Sequence, residues 1–199
     1  MSLQSCTPIK ETLFQFKDSL PFNRGRLLNV GFVESKDDGP FDCLIFHDID
    51  LLPEDDRHMY HCSVMPRHLG VTSSKYKYRF FYYNYFGGVC SMTEEQFMMV
   101  NGWSNRYWGW GMEDDDLRER IEFNELVIWR YPKSIARYTM LSHKEAKRNP
   151  NRVKEYFEYK KNFREDGLNS LEYDLISKGR KPLFTSIKVN FTNYFKERH

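Results

Sequence analysis

An apolar run that ends in paired carboxylates, FDCLIFHDIDLL over residues 41–52, limits what this chain can fold into more than any other segment. A short apolar run of this kind reads as one buried strand. Asp48 and Asp50 then lie at its C-terminal edge, where open α/β sheets gather their ligands. Carboxylates at the end of a buried strand are costly unless a metal, a ligand or hydrogen bonds partner them. Two carboxylates at i and i+2 can serve a hard divalent cation and a sugar hydroxyl. Asp-x-Asp alone also arises by chance in many surface loops, and only the apolar run before it gives it weight.

A second run, Tyr78 to Tyr85, meets Gly87-Gly88, where a backbone without Cβ lets a ligand or strand come close, so the run reads as a site wall. Thr93 and Gln96 form a capping box for a helix through Phe97 and Val100, stopped by Asn101-Gly102. The acidic run Glu113–Asp116 leads into LRERIEF, placing carboxylates in the first turn of a helix, where the dipole favours them. After Pro132 a short strand, IARYTMLSH, precedes a basic loop and a helix from about Asn151 to Phe163. The tail PLFTSIKVNFT alternates as a late strand does. With no internal repeat, low-complexity tract or clear linker, one α/β domain is the expected organisation.

Composition narrows the function classes. Aromatic residues make up 17% of the 199, too many for a chain whose main state is disorder. Thirty Lys and Arg against 28 Asp and Glu leave a formal charge of +2, which argues against a dedicated nucleic-acid binder. The basic cluster Lys144, Lys147, Arg148 and Arg152 keeps phosphate-bearing small molecules open. No stretch approaches the ~18 consecutive apolar residues of a membrane span. Four cysteines without a C-x-x-C pair suit neither a disulfide scaffold nor a structural zinc site, though one bridge is allowed. No Ser-His-Asp order, P-loop or G-x-G-x-x-G fingerprint is present.

Three further groups bear on chemistry. Met140-x-x-His143, beside a carboxylate such as Asp50, would make a mixed site suited to manganese or a similar ion. Taken singly, Met140 reads as core and His143 as surface. WGWGMEDDD (residues 108–116) sets tryptophans among glycines, offering flat faces on a mobile backbone, next to carboxylates that can bind sugar hydroxyls or act as a base. Its bland reading is the edge of a Trp-rich core before a charged helix. Phe22-Asn23-Arg24 could stack on a base and neutralise a diphosphate; alone, a surface arginine is the simpler reading.

Together FNRGRLLNVGF, FHDIDLLP, YFGGV, WGWGMEDDD, MLSH and DGLNSL, in this order, resemble the β-1,4-galactosyltransferase family over about residues 20–190. The resemblance implies a GT-A type α/β fold, a UDP-galactose donor, a glycan acceptor on a glycoprotein or glycolipid, Mn2+ and inversion at the anomeric carbon. It implies Asp50, Met140 and His143 as manganese ligands and Asp114 as the base. Phe22, Asn23, Arg24, Asp48, Ile49, Tyr85 and Trp110 fall on the donor side. Met112, Glu113, Asp114, Asp115, Arg152, Val153 and Tyr156 fall on the acceptor side. Tyr85 matches a position beside the donor C2 substituent, favouring UDP-galactose over UDP-N-acetylgalactosamine. The family position of Met112 is usually glycine, so its loop is expected to be stiffer.

By the same resemblance Cys43 and Cys62 form a disulfide, in keeping with a Golgi lumen, while Cys6 and Cys90 have no expected partner. Asn190-Phe191-Thr192 is an N-glycosylation sequon. Family members carry a cytoplasmic tail, membrane anchor, stem and a Pro-Phe-Arg strand ahead of the matched region. None is read before Phe22, so the expectation is a C-terminal portion lacking its N-terminal strand or strands, from a membrane-anchored parent. Residues 1–20 are then an atypical segment, 21–190 the catalytic domain and 191–199 a tail. Rival readings are a transferase using UDP-N-acetylgalactosamine and an inactive glycan- or partner-binding remnant.

Overall fold

The computed structural model describes residues 11–16, 20–144 and 146–195. They fall into two compact units: residues 21–171 form one, and the described residues before 21 and after 171 form the other. In the smaller unit β1 (Glu11–Phe16), β9 (Asp174–Arg180) and β10 (Phe184–Asn190) make a three-stranded sheet in the order β1-β10-β9. β1 runs parallel to β10, with Glu11 opposite Phe184 and Phe16 opposite Val189. The alternation expected for the tail is present, with Thr185, Ile187 and Val189 buried. The expected domain of residues 21–190 is thus carried by both units, and the segment before it contributes a strand. Cys6 lies outside the described residues.

The α-helices and strands described in the larger unit are α1 (Arg24–Ser35), β2 (Leu44–His47), β3 (Leu51–Pro53), β4 (Arg67–His68), β5 (Thr72–Ser73), β6 (Val89–Met92), α2 (Glu94–Met99), α3 (Glu113–Phe123), β7 (Trp129–Arg130), β8 (Arg137–Met140) and α4 (Arg152–Tyr159). Four strands form a sheet in the order β2-β6-β4-β7, and three form another in the order β3-β8-β5. Phe32, Phe46, Phe97, Trp103, Leu117 and Ile121 are the centre of the main core, which joins α1, α2 and α3 to β2 and β6. A smaller cluster, Leu51, Leu69, Val89 and Tyr138, joins β3 and β8 to β6. Among the described residues no helix is long and apolar enough to cross a membrane.

The reading of residues 41–52 as one strand is corrected by the structure. A turn closed by the Leu51 N–H donating to the Asp48 carbonyl (3.1 Å) breaks the run. β2 before the turn pairs with β6, and β3 after it pairs with β8, so the two halves serve different sheets. The capping box is present: Thr93 accepts from Gln96 N–H, and the Gln96 side chain accepts from Thr93 N–H. Asn101 and Gly102, both at positive φ, follow α2 as its stop. α3 starts at Glu113 with Glu113 to Asp116 in its first turn, as the acidic run predicts. α4 is shorter than the helix expected from Asn151 to Phe163.

Candidate active site

The Asp48–Asp50 turn sends its two carboxylates to different partners. Asp48 Oδ1 accepts from Arg24 Nε (2.9 Å) and Nη2 (2.8 Å). Arg24 is the first residue of α1, whose N-cap Asn23 accepts from Arg26 N–H. Asn23 is fully buried and its amide donates to the Asn105 carbonyl (2.9 Å), so both ends of its side chain shape the backbone at Phe22–Arg24. Phe22 and Ile49 stand exposed on either side. Burial opposes the Arg24 charge, but Asp48 and Glu113 outweigh it and hold the guanidinium protonated. The ring of Trp103 lies beneath it at 4.9 Å.

Asp50 turns the other way and meets His143, with Oδ2 2.9 Å from Nε2. The β3–β8 register, Leu51 opposite Met140, produces this meeting: it sets residue 50 beside the chain leaving β8, and Leu141 N–H donates to the Asp50 carbonyl (2.7 Å). Met140 is fixed by its N–H donating to Ser74 Oγ (2.9 Å). Met140 and His143 line one open cavity of about 330 Å³ with Ser74 and Lys75. A carboxylate and an imidazole in direct contact, with a thioether residue beside His143 on its cavity, are donors of the kind that suit a borderline divalent cation such as manganese. Among the described residues no group of three or more His, Cys, Asp or Glu is arranged for a metal, so the set depends on Met140.

The three carboxylates at the start of α3 form the second half of the site. The Asp114 carboxyl is pushed well above the ordinary aspartate value, first by burial and then by the adjacent Glu113 and Asp115. Asp115 N–H donates to Asp114 Oδ1 (3.0 Å). Glu113 is raised by burial against the pull of Arg24. Asp115 is raised by burial, with the Tyr82 hydroxyl donating to its Oδ1 (2.8 Å) and working against the shift.

Gly87 explains the glycine pair. A Cβ there would strike Asp114 Oδ2 and come within 2.6 Å of the Tyr85 hydroxyl, so a missing methyl group leaves room for the carboxylate. Tyr85 is pinned through its carbonyl, which accepts from Arg130 Nη2 (3.0 Å). The run Tyr78–Tyr85 walls this part of the site as a chain of turns rather than a strand.

The tryptophan loop is tethered at several points. Gly109 N–H donates to the Phe22 carbonyl (2.7 Å), which brings the loop to the segment before α1. Asn149 donates from its side chain to the Trp108 carbonyl (3.0 Å) and from its N–H to the Trp110 carbonyl (3.2 Å). Arg148 lies over the partly exposed Trp110 ring at 5.1 Å. Met112 sits at φ 78°, a left-handed conformation that L side chains adopt at a cost. Arg152 packs on Gly111, where a Cβ would meet its Cδ at 2.8 Å. Tyr156 donates to Glu119 Oε1 (2.7 Å), while Val153 is exposed.

Thus Arg24, Asp48, Tyr85, Glu113 and Asp114 are brought together, and Asp50 meets His143 beside Met140. Tyr82 and Asn149 were missed from the sequence. Tyr82, three residues before Tyr85 in the aromatic run, was legible as part of that wall; nothing local marked Asn149. Cys43 and Cys62 are disulfide-bonded, with Cα atoms 5.3 Å apart, and Cys90 is buried and free. In the smaller unit Asn190 Oδ1 accepts from Thr192 N–H (3.0 Å) and Oγ1 (2.7 Å).

Comparison with known proteins shows what the chain is similar to. Residues 67–144 match the family described as the N-terminal domain of galactosyltransferase, and residues 12–63 match the N-terminal region of glycosyl transferase group 7. β-1,4-Galactosyltransferase 4 of Cricetulus griseus is 45% identical over 176 residues, covering 87% of this chain and 51% of that protein. The Homo sapiens protein of the same name is 45% identical over 173 residues, covering 85% and 50%. The chain therefore spans about half the length of the curated relatives it matches.

The catalytic domain of Drosophila β-1,4-galactosyltransferase 7, in complex with xylobiose, superposes with a TM-score of 0.72 at 28% identity, covering 87% of this chain and 76% of that one. A mutant of that enzyme with manganese, UDP-Gal and xylobiose gives 0.73 at 25% identity, covering 91% and 79%. The fold is of the GT-A type, and the chain belongs to the β-1,4-galactosyltransferase family.

Proposed function

We propose that this chain transfers galactose from UDP-galactose to the 4-hydroxyl of a terminal N-acetylglucosamine-type acceptor, with inversion, in the Golgi lumen. The observation that carries the reading is the Asp114 carboxyl, raised by burial and two neighbouring carboxylates, with the bare Gly87 making room for its Oδ2. A carboxylate so raised is a better proton acceptor for a sugar hydroxyl than an ordinary aspartate. Inversion needs one such base, and Asp114 takes the proton as the hydroxyl attacks. Glu113 and Asp115 accept hydrogen bonds from other acceptor hydroxyls, with Met112, Arg152, Val153 and Tyr156 covering the acceptor. Arg24 faces the donor diphosphate, Phe22 and Ile49 flank its base, and Trp110 covers it.

Asp50, Met140 and His143 hold manganese in this reading. When bound, the ion supplies Lewis-acid stabilisation of the departing diphosphate. The galactosyltransferase 7 complex with manganese, UDP-Gal and xylobiose supports a metal-dependent donor site and a glycan acceptor. The Cys43–Cys62 bridge suits an oxidising lumen.

UDP release from UDP-galactose by the purified chain is expected to require both manganese and an N-acetylglucosamine acceptor, and to stop in chelator. Acceptor-independent or chelator-resistant release would refute the proposal. Donor choice has its own test. In this reading the Tyr85 ring takes the space an N-acetyl group at C2 would need, so Tyr85→Ile is expected to raise use of UDP-N-acetylgalactosamine relative to UDP-galactose about tenfold or more. Equal use of both donors by the wild-type chain would refute that role.

A further inference from the structure

The turn that carries Asp48 and Asp50 has a support that the proposed chemistry does not use. His47, the last residue of β2, lies with Nδ1 2.8 Å from the Asp48 carbonyl oxygen and Nε2 2.7 Å from the Tyr60 hydroxyl. The Tyr138 hydroxyl donates to the Tyr60 oxygen at 3.1 Å. A carbonyl can only accept, so the His47 proton must sit on Nδ1. Nε2 is then an acceptor, Tyr60 spends its proton there, and its oxygen is free to accept from Tyr138. Every donor in the row points the same way, which leaves one self-consistent arrangement.

The row joins the segments whose alignment makes the site. Tyr138 is fully buried on β8, two residues before Met140. Tyr60 belongs to the loop that the Cys43–Cys62 bridge ties to the start of β2. The receiving Asp48 carbonyl is also the acceptor for Leu51 N–H, the bond that closes the turn. The His47 ring packs against both tyrosine rings, at 5.5 Å from Tyr60 and 6.1 Å from Tyr138.

We propose that His47 is a positioning residue: held as the Nδ1–H tautomer by the Tyr138–Tyr60 hydroxyl row, it fixes the Asp48–Asp50 turn in the geometry that binds the metal and the donor diphosphate. This rests on the function proposed above. Partners that orient ligating groups in this way typically contribute about tenfold or more to affinity.

Two measurements test it. In 15N-histidine-labelled protein without metal or donor, the His47 nitrogens are expected to show protonated Nδ1 and bare Nε2, and Tyr60→Phe is expected to shift that tautomer balance. By calorimetry, His47→Phe and Tyr60→Phe are expected to weaken UDP binding in the presence of manganese by about tenfold, with a thermal midpoint close to wild type for Tyr60→Phe. His47→Asn, which keeps a short N–H donor, should recover part of the affinity. Tyr60→Phe removes a single hydroxyl, so it decides the matter even where His47→Phe does not fold. An Nε2–H tautomer in the wild type, or unchanged affinity in Tyr60→Phe, overturns the positioning role while leaving the function intact. A wild-type chain that binds no UDP with manganese overturns the function, and the positioning role with it.

Discussion

Asp114→Asn is expected to lower transfer about 10³-fold while leaving manganese-dependent UDP binding in place, because a general base contributes roughly 10²- to 10⁴-fold. The substitution keeps the size of the side chain against Gly87 and its acceptor for Asp115 N–H, so the start of α3 should not move. Only the proton acceptor is lost. The pH profile supplies a second readout. Asp114 works as the carboxylate, and burial with its acidic neighbours raises its pKa well above the ordinary 3.8. Transfer by the wild type should therefore fall, as pH is lowered, at a pH above that at which an ordinary aspartate protonates. In Asp114→Asn this acid limb should disappear from the residual rate. Undiminished turnover, or an unaltered limb, would remove Asp114 from the role.

Asp116→Ala should destabilise the fold by about 3–5 kcal/mol, the cost of stranding one member of a buried ion pair. Asp116 is fully buried, and its Oδ2 accepts from Arg120 Nε at 2.5 Å while Oδ1 accepts from the Tyr107 hydroxyl at 3.2 Å. Arg120, equally buried, also donates to the Asp166 carbonyl at 2.7 Å and to the Gly102 carbonyl at 3.3 Å. Removing Asp116 leaves Arg120 Nε without its acceptor in the core, with the Asp166 carboxylate 3.5 Å from Nη2 as the remaining counter-charge. Urea unfolding measures the loss. Asp116→Leu combined with Arg120→Met should be milder, since the cation leaves with its carboxylate and Asp166 keeps Arg106 as a counter-charge at 3.8 Å. If the single and double variants lose equally, charge stranding is not the cause.

What was readable in advance had short-range causes. The Thr93–Gln96 box and the acidic first turn of α3 are decided within a few residues, and both are found as expected. α1 went unread because Gly25 and Gly31 weaken its helical signal. Gly25 has a tertiary reason, since a Cβ there would meet the Ser104 carbonyl oxygen at 2.7 Å. The break at Asp48–Leu51 was hidden because Leu51 and Leu52 prolong the apolar run on its far side. β9 was missed because most of its residues are exposed and it shows no clean alternation. The meeting of Asp50 with His143 depends on the β3–β8 register, which no local pattern encodes. Ligand chemistry suggested the pairing of Asp50 with His143, and the family resemblance implied it, but no local pattern specified it. The DGLNSL motif has a plain structural use: Asp166 accepts from Ser104 Oγ and Asn105 N–H and so anchors that loop.

At Gly87 a single hydrogen atom separates the backbone from Asp114 and from the ring of Tyr85. Any larger residue there would displace the Asp114 carboxylate and the Tyr85 ring in one stroke. Mutational drift at this site is accordingly one-sided: the ring at position 85 can be exchanged while position 87 stays bare, but position 87 cannot grow first. On the proposed function, changes of donor preference are open to evolution only along the first of those routes.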